Sequence, residues 1–193
     1  MSIQDRTTTT SAVHQTTKTS PTPRAAPVLA VLRIVTGLTF LWAFLDKTFG
    51  LGYATASTQG WLAGGSPTKG FLSHVQVGPM QSMMRDWAGA GWANWLFMIG
   101  LLGIGLALLL GVGMRLAATG GAVLLAFMWI AEWPPARHGS TGAATSSTNP
   151  LIDYHLVYIV VVIALAVYAA GDTWGFGRRW AELDLVQRYR WLR

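Results

Sequence analysis

Residues 92–111 read WANWLFMIGLLGIGLALLLG and contain no charged side chain. An α-helix rises 1.5 Å per residue, so this stretch is about 30 Å long, which matches the hydrocarbon core of a bilayer. Three further apolar stretches lie at 27–45, 116–131 and 151–170. We therefore predict an all-α integral membrane protein, a four-helix bundle whose membrane domain covers residues 27–172.

The composition agrees with a chain that faces lipid. Of its 193 residues, 52% are hydrophobic and only 11% are charged, which is too apolar for most soluble domains. The absence of cysteine excludes disulfides, thiol catalysis, iron–sulfur clusters and covalently attached haem on this chain. The net charge of +6 does not predict a nucleic-acid partner, because the basic residues lie beside the apolar stretches.

The basic residues outside the four stretches predict the orientation of the chain. Nine of them fall on one side of the membrane and four on the other, so the positive-inside rule places both termini in the cytoplasm. The first set is Arg6, Lys18, Arg24, Arg115, Arg178, Arg179, Arg188, Arg190 and Arg193, and the second is Lys47, Lys69, Arg85 and Arg137. The stretch 116–131 is short for a span. We predict that it crosses the membrane, because an odd number of spans would place the two basic tails on opposite sides. We expect a multi-pass protein of a bacterial or archaeal cell membrane.

The two tails have different compositions. Residues 1–26 are rich in threonine and serine and have few apolar side chains, which predicts a disordered cytoplasmic tail. A secretory signal peptide ending near residues 54–56 is the less favoured alternative, because the apolar run is long and contains Arg33. Residues 173–193 alternate apolar and arginine side chains, which predicts a basic amphipathic segment on the inner leaflet.

The outer segment 46–91 contains a helical pattern of its own. Met80, Met83, Met84 and Trp87 follow Pro79 with spacings of three and four residues, which predicts an interfacial helix on the outer leaflet. Seven of the ten tryptophans are predicted on the outer side: Trp42, Trp61, Trp87, Trp92, Trp95, Trp129 and Trp133. An aromatic belt that anchors the bundle is the favoured interpretation, and a stacking surface for a ring-shaped ligand is the alternative.

Ionisable residues lie at the outer ends of three predicted helices. Asp46 and Lys47 end the first, Glu132 ends the third, and residues 153–155 (Asp153, Tyr154 and His155) begin the fourth. Such a group can move protons, bind a quinone headgroup or attract a small anion through the lysine. A purely structural role, as an ion-paired cap on the helix ends, is an equally weighted alternative.

Arg33 is the charged residue deepest in the first stretch. It can snorkel to the interface, pair with a carboxylate or bind a lipid phosphate, and snorkelling is the favoured interpretation. Metal or haem binding is not predicted. His74, His138 and His155 have no second ligand three or four residues away.

Three pieces of the sequence, taken together, resemble the DoxX/DoxD family. They are LWAFLDKTFGLG at 41–52, GGSPTKGF at 64–71 and WLFMIGLLGIG at 95–105. The resemblance extends over about residues 28–172. It implies a four-helix membrane protein. Its DoxD branch implies a thiosulfate:quinone oxidoreductase that acts with a smaller partner subunit.

The leading functional hypothesis is a membrane oxidoreductase subunit that passes electrons from a small outer-side reductant, such as thiosulfate, to membrane quinone as co-substrate. Lys47 would attract the anion, while the catalytic proton carriers would be Asp46, Glu132, Asp153 and His155. The residues assigned to quinone or ligand contact are Trp42, Trp129, Tyr154 and Arg33. The expected partners are the bilayer, a second small redox subunit and further copies of the chain. A non-catalytic scaffold that anchors a soluble redox partner is the alternative, and a transporter ranks third.

Overall fold

The computed structural model describes residues 25–193, and this part of the chain contains helices and no β-strand. The threonine-rich segment predicted to be disordered lies, up to residue 24, outside the described residues. The helices are α1 (Ala25–Phe49), α2 (Lys69–Leu72), α3 (Gln81–Trp87), α4 (Gly91–Leu110), α5 (Met114–Glu132), α6 (Tyr154–Val167), α7 (Gly177–Glu182) and α8 (Asp184–Arg188). Short 3₁₀ turns occur at Ser57–Gln59, Trp61–Ala63, Ala170–Asp172 and Arg190–Leu192.

The predicted membrane bundle is confirmed. Helices α1, α4 and α5 are long and apolar enough to cross a bilayer, and α6 is a shorter apolar helix of 14 residues. The fourth helix is shorter than its apolar stretch because both of its ends are fixed locally. Asp153 caps the start by accepting a hydrogen bond from the backbone N–H of Leu156 at 3.2 Å. Ala169 adopts a left-handed conformation, φ 49°, two residues after α6 ends.

The bundle packs in the order α1, α4, α5, α6, with neighbouring helices antiparallel. Two glycines allow α1 and α4 to approach closely. A Cβ atom on Gly37 would lie 3.1 Å from the carbonyl oxygen of Gly105, and one on Gly105 would lie 2.9 Å from the backbone nitrogen of Leu41. The buried core is formed by Phe40, Met98, Leu101, Ile104, Leu108, Leu125, Val162 and Leu165.

The outward faces of the bundle are apolar. Large side chains such as Val28, Leu96, Ile99, Val160 and Val167 are each more than 60% exposed. A water-soluble protein rarely leaves so many aliphatic groups uncovered, whereas lipid covers them at no cost. The exposure pattern therefore agrees with a protein embedded in a membrane.

Arg33 does not snorkel, so that prediction is wrong. Its side chain is fully buried and donates hydrogen bonds to the carbonyl oxygens of Leu108, Leu109 (2.8 Å) and Trp174 (2.9 Å). The last carbonyl groups of α4 have no partner within their own helix, so they offer the arginine acceptors inside the bundle. Arg33 thereby joins α1, the end of α4 and the segment that follows α6.

Both ends of the described chain lie at the same end of the bundle. Ala26 and Arg193 line one cavity there, and the backbone N–H of Arg115 donates to the carbonyl of Arg193 at 2.9 Å. The segment predicted as basic and amphipathic forms α7, α8 and a 3₁₀ turn, interrupted at Leu183 by an extended conformation. The positive-inside rule predicts that this end faces the cytoplasm. We refer to it as the inner end.

The outer segment folds back over the opposite end of the bundle. The outer segment contains the predicted helix as α3, and its Met84 packs, 2% exposed, against Val75 and Ala131. The location of this helix at the membrane interface stays a prediction. The side-chain oxygen of Asn94 accepts hydrogen bonds from the Thr68 backbone N–H (3.1 Å) and hydroxyl (2.7 Å). These contacts fix the glycine-rich turn 64–70 against the start of α4.

Candidate functional site

Four of the predicted site residues meet where α5 ends and α6 begins. The Tyr154 hydroxyl donates to Glu132 Oε1 at 2.9 Å. His155 Nδ1 lies 2.7 Å from Asp153 Oδ2 and 3.9 Å from Glu132 Oε2. The rings of Tyr154 and His155 are 4.0 Å apart between centroids. These residues, 132 and 153–155, form the outer acid–histidine cluster.

The cluster combines a buried base with exposed acids. His155 is fully buried, whereas the side chains of Glu132 and Asp153 are 37% and 16% exposed. His155 Nδ1 forms a hydrogen bond with the Asp153 carboxylate, which fixes the ring, and the buried Nε2 has no hydrogen-bond partner among the described residues. The imidazole therefore lies inside the protein with its Nδ1 edge towards two carboxylates, of which that of Glu132 is the more exposed.

The same side chains include a set of metal-ligating types. Glu132, Asp153 and His155 each offer one ligand atom, and these atoms lie within 4.8 Å of one another. Nitrogen and carboxylate ligands of this kind suit a divalent transition metal. Sequence analysis groups these three residues as candidate proton carriers and not as metal ligands, because the ligand atoms come from two helices and show no helical ligand spacing in the sequence. The prediction that the chain has no intrinsic metal or haem stays a prediction.

A polar cleft of about 700 Å³ lies over the cluster on the outer side. Glu132, Asp153 and Tyr154 line one wall, and Phe71, His74 and the 144–149 loop line the others. That loop contributes the side chains of Thr145, Ser147 and Asn149 to the lining, and the hydroxyls of Thr145 and Ser147 donate to the carbonyls of Ala136 and Pro134. The cleft therefore has the size and polarity for a small hydrophilic molecule.

Asp46 and Lys47 do not join the cluster. Asp46 is 1% exposed, and its carboxylate accepts hydrogen bonds from the backbone N–H groups of Tyr53 (3.3 Å) and Ala54 (3.1 Å). It therefore fixes the turn that follows α1. The Lys47 ammonium lies 5.9 Å from the centroid of the Phe97 ring, at a different cavity.

That second cavity is an apolar pocket of about 320 Å³ between α4, α5 and the outer segment. Its aromatic lining consists of Phe71, Trp87, Trp92, Phe97 and Phe127. Trp87 packs edge-on against Trp92 with centroids 5.2 Å apart. Of the described residues that line it, only Lys47 carries a charge. Leu96, Trp92 and Phe127 also face outward from the bundle, so the pocket reaches the lipid-facing surface.

The polar cleft and the apolar pocket adjoin each other. Phe71 lines both of them. Its side chain therefore lies between the polar cleft and the apolar pocket. A hydrophilic molecule in one and a ring in the other would therefore be close neighbours.

Of the four residues that the sequence assigns to ligand contact, only Tyr154 lies in the acid–histidine cluster. The other three lie elsewhere in the bundle. Trp42 packs edge-on against Tyr53 at 5.1 Å, and Trp129 donates from its indole N–H to the carbonyl of Leu151 at 3.0 Å. Neither lines the apolar pocket. Arg33 lies at the inner end, where it binds backbone carbonyls, so it does not contribute to an outer site.

The aromatic residues of the apolar pocket were not singled out by sequence analysis. The sequence predicts Trp87 in the interfacial stripe and both Trp87 and Trp92 in the outer aromatic belt, with a stacking surface for a ring-shaped ligand as the alternative. The spacing of Met84 and Trp87 on α3, facing the outer start of α4, is the one signal that pointed to this region.

The fold and these two cavities define a polytopic helical membrane protein with an acid–histidine cluster at its outer end. The family model for DoxX matches residues 28–133, which is more than half of the chain, and the chain belongs to the DoxX family. No curated protein and no solved structure matches it. The match covers α1 to α5 and stops before α6, which supplies Asp153, Tyr154 and His155.

Proposed function

We propose that the protein is a quinone-linked oxidoreductase subunit of the cell membrane, which passes electrons from a small outer-side reductant to membrane quinone. The observation that carries this proposal is the adjacency of the two cavities. An aromatic pocket with one lysine and a polar cleft with an acid–histidine cluster share Phe71 as a common wall.

The apolar pocket suits the headgroup of a quinone. Trp87, Trp92 and Phe97 offer ring faces and edges that stack on a flat, electron-poor ring. Lys47 can donate a hydrogen bond to one quinone carbonyl, and its positive charge stabilises the negative charge that develops on that oxygen during reduction. The isoprenoid tail would leave between the outward-facing Leu96 and Phe127 into lipid.

The polar cleft suits the reductant. With thiosulfate as donor, the balanced reaction joins two thiosulfate ions into tetrathionate through a new sulfur–sulfur bond. The two electrons released, together with two protons, convert quinone to quinol. Because the chain has no cysteine, no persulfide intermediate forms on it. The donor's own sulfur supplies the electrons.

The acid–histidine cluster is the proposed source of protons. Glu132 and Asp153 line the cleft, and His155 lies buried behind them in the bundle. Tyr154, which holds Glu132 in place, lines the cleft as well. Reduction of each quinone consumes two protons, so the cluster must release protons and recharge from solvent in every turnover. A second small subunit would deliver or receive the hydrophilic substrate at the cleft.

Quinone reduction by the purified protein in lipid nanodiscs tests this proposal. We expect quinol formation with thiosulfate or another small two-electron donor. Lys47→Gln is expected to lower kcat/KM for quinone about tenfold, because it removes a charge-assisted hydrogen bond. Glu132→Gln is expected to lower kcat about a hundredfold, because it removes a group that carries protons.

Lys69→Gln is the matched control for these variants. Lys69 is exposed on the same outer segment, lines neither cavity and carries the same charge as Lys47. Its activity is expected to equal that of the wild-type protein. Absence of turnover with every donor of a broad panel would contradict the proposal and favour a non-catalytic scaffold for a soluble redox partner.

A further inference from the structure

A basic cavity of about 430 Å³ lies at the inner end of the bundle, far from the outer cavities. Three arginines line it, each from a different part of the chain: Arg115 at the start of α5, Arg178 in α7 and Arg193 after the last 3₁₀ turn. Gly111, Gly113 and Gly171 line it too, and their lack of side chains leaves space between the arginines.

The positive charge of this basic cavity is only partly balanced. Asp172 is the acidic side chain among its lining residues, and it lies 3.4 Å from the guanidinium of Arg193. Arg115 donates to the backbone carbonyl of Arg190 at 3.1 Å, which leaves its charge uncompensated. Within the described chain, neither Arg115 nor Arg178 forms an ion pair. The cavity therefore favours an anion.

An apolar groove continues from the basic cavity along the bundle. It has a volume of about 480 Å³ and runs between α5 and α6. Its floor and walls are Ala118, Thr119, Ala122, Val123 and Ile163. Alanines at 118 and 122 are too small to fill the space between the helices. The repeated small residues of α5 thus form a surface depression on the lipid-facing side.

The groove and the basic cavity are continuous. Arg115, Ala166 and Val167 line both of them. A molecule with a negatively charged head and a hydrocarbon chain could place the head among the arginines and the chain along the alanines. The junction lies at the start of α5, at the membrane boundary predicted to face the cytoplasm.

We propose that this continuous site binds one anionic phospholipid of the inner leaflet, with its phosphate among Arg115, Arg178 and Arg193 and an acyl chain in the α5–α6 groove. Guanidinium groups bind phosphate with two parallel hydrogen bonds, and basic pockets between helices on the cytoplasmic side are typical sites for acidic lipid headgroups. The bound lipid would attach the C-terminal segment to the bundle. This inference does not depend on the proposed redox activity.

Native mass spectrometry of the detergent-purified full chain, titrated with phosphatidylglycerol or phosphatidylcholine of equal chain length, tests the proposal. The wild-type protein is expected to retain one phosphatidylglycerol at least about tenfold more tightly than phosphatidylcholine, from two uncompensated arginines. Arg115→Gln and Arg178→Gln are each expected to weaken phosphatidylglycerol binding about fivefold. Ala122→Phe keeps every charge and is expected to weaken both lipids by filling the groove.

The matched control is Arg188→Gln. Arg188 is exposed in α8 on the same basic segment, packs against the Tyr189 ring and does not line the cavity. Its phosphatidylglycerol affinity is expected to stay within about twofold of wild type, as for a surface charge outside the site. An equal loss in Arg188→Gln would show diffuse attraction and overturn the proposal. Displacement of the lipid by glycerol 3-phosphate would also overturn the proposal, because the headgroup alone would then account for binding. Unchanged lipid binding by Ala122→Phe would overturn it as well, because the acyl chain would then not occupy the groove. Arg178 is exposed, so its variant remains informative if Arg115→Gln does not fold.

Discussion

Gly105→Val is expected to destabilise the bundle by about 3 kcal/mol, because the new side chain forces α1 and α4 apart. Its Cβ alone would lie 2.9 Å from the backbone nitrogen of Leu41 and 3.2 Å from the carbonyl oxygen of Gly37. These are backbone atoms of a packed helix, so they cannot move aside as a flexible side chain would. Thermal unfolding in detergent, followed by circular dichroism, is expected to show a midpoint lowered by about 10 °C.

Gly103→Val is the matched control for this prediction. Gly103 lies on the same helix, two residues before Gly105, and a Cβ there would meet no described atom within 4 Å. The two variants change helix propensity and hydrophobicity equally, so a difference between them reports helix packing. Equal unfolding midpoints for the two variants would contradict the close approach of α1 and α4.

Arg33→Met is expected to destabilise the protein by about 3 kcal/mol and to loosen its C-terminal segment. The change leaves the carbonyl oxygens of Leu109 and Trp174 without their donor, whereas that of Leu108 keeps the Gly111 N–H at 3.2 Å. Each unsatisfied buried acceptor costs about 1–3 kcal/mol. Removal of a buried charge offsets part of that cost. Because Arg33 binds the backbone just before α7, trypsin is expected to cut at Arg178 and Arg179 faster in the variant.

Arg137→Met provides the comparison for the arginine variant. Arg137 is exposed in the outer loop between α5 and α6, so its loss is expected to change the unfolding midpoint by no more than about 1–2 °C. Unchanged trypsin cleavage in Arg33→Met would show that the arginine does not hold the segment after α6, contrary to the contacts in the structure.

The membrane bundle is predictable from the sequence because hydrophobic length defines three of its helices and the distribution of basic residues supports the short stretch at 116–131 as the remaining one. The stretch predicted at 92–111 differs from the observed α4 by one residue at each end. The observed α1 and α5 each extend beyond their predicted stretches, 27–45 and 116–131, at both ends. The length of α6 is less predictable. Its apolar stretch continues beyond both ends of the helix, and only Asp153 as a cap and the left-handed Ala169 limit the helix to 14 residues.

The role of Arg33 could not be read from hydropathy. A charged side chain in a membrane-spanning helix is predicted to extend to the interface, because a single helix offers it no free hydrogen-bond acceptors. The acceptors come instead from the carbonyl groups at the end of α4, some 75 residues away in the chain. Only the antiparallel packing of α1 on α4 brings them to the arginine.

The sequence predicts which helix ends carry the residues of the candidate site, but it does not predict the direction in which each side chain points. Topology correctly brings Glu132 to Asp153, Tyr154 and His155, because α5 and α6 are antiparallel neighbours. It does not separate Asp46 from Lys47. Neighbouring residues on a helix point about 100° apart, so one carboxylate turns to the 53–54 turn and the lysine turns to the apolar pocket.

The apolar pocket is still harder to predict, because it depends on how the outer segment folds. Trp42, Trp92 and Trp129 are all predicted on the outer side, yet of these three only Trp92 lies where α2 and α3 cover the bundle. Belt patterns give the depth of a tryptophan in the membrane and carry no information about its neighbours. Phe71 and Trp87 join the pocket through that tertiary fold.

Labelling of the purified protein in lipid with a photoreactive quinone, followed by peptide mapping, tests most directly whether the apolar pocket receives a quinone. Label is expected in the peptides that contain Phe71, Trp87 and Trp92–Phe97. Excess unmodified quinone is expected to prevent this labelling, and Ala93→Phe, which narrows the pocket, is expected to reduce it about tenfold, as when overpacking costs about 1–3 kcal/mol. Label spread evenly over the lipid-facing surface, with no competition by unmodified quinone, would contradict the assignment of the pocket and with it the proposed function.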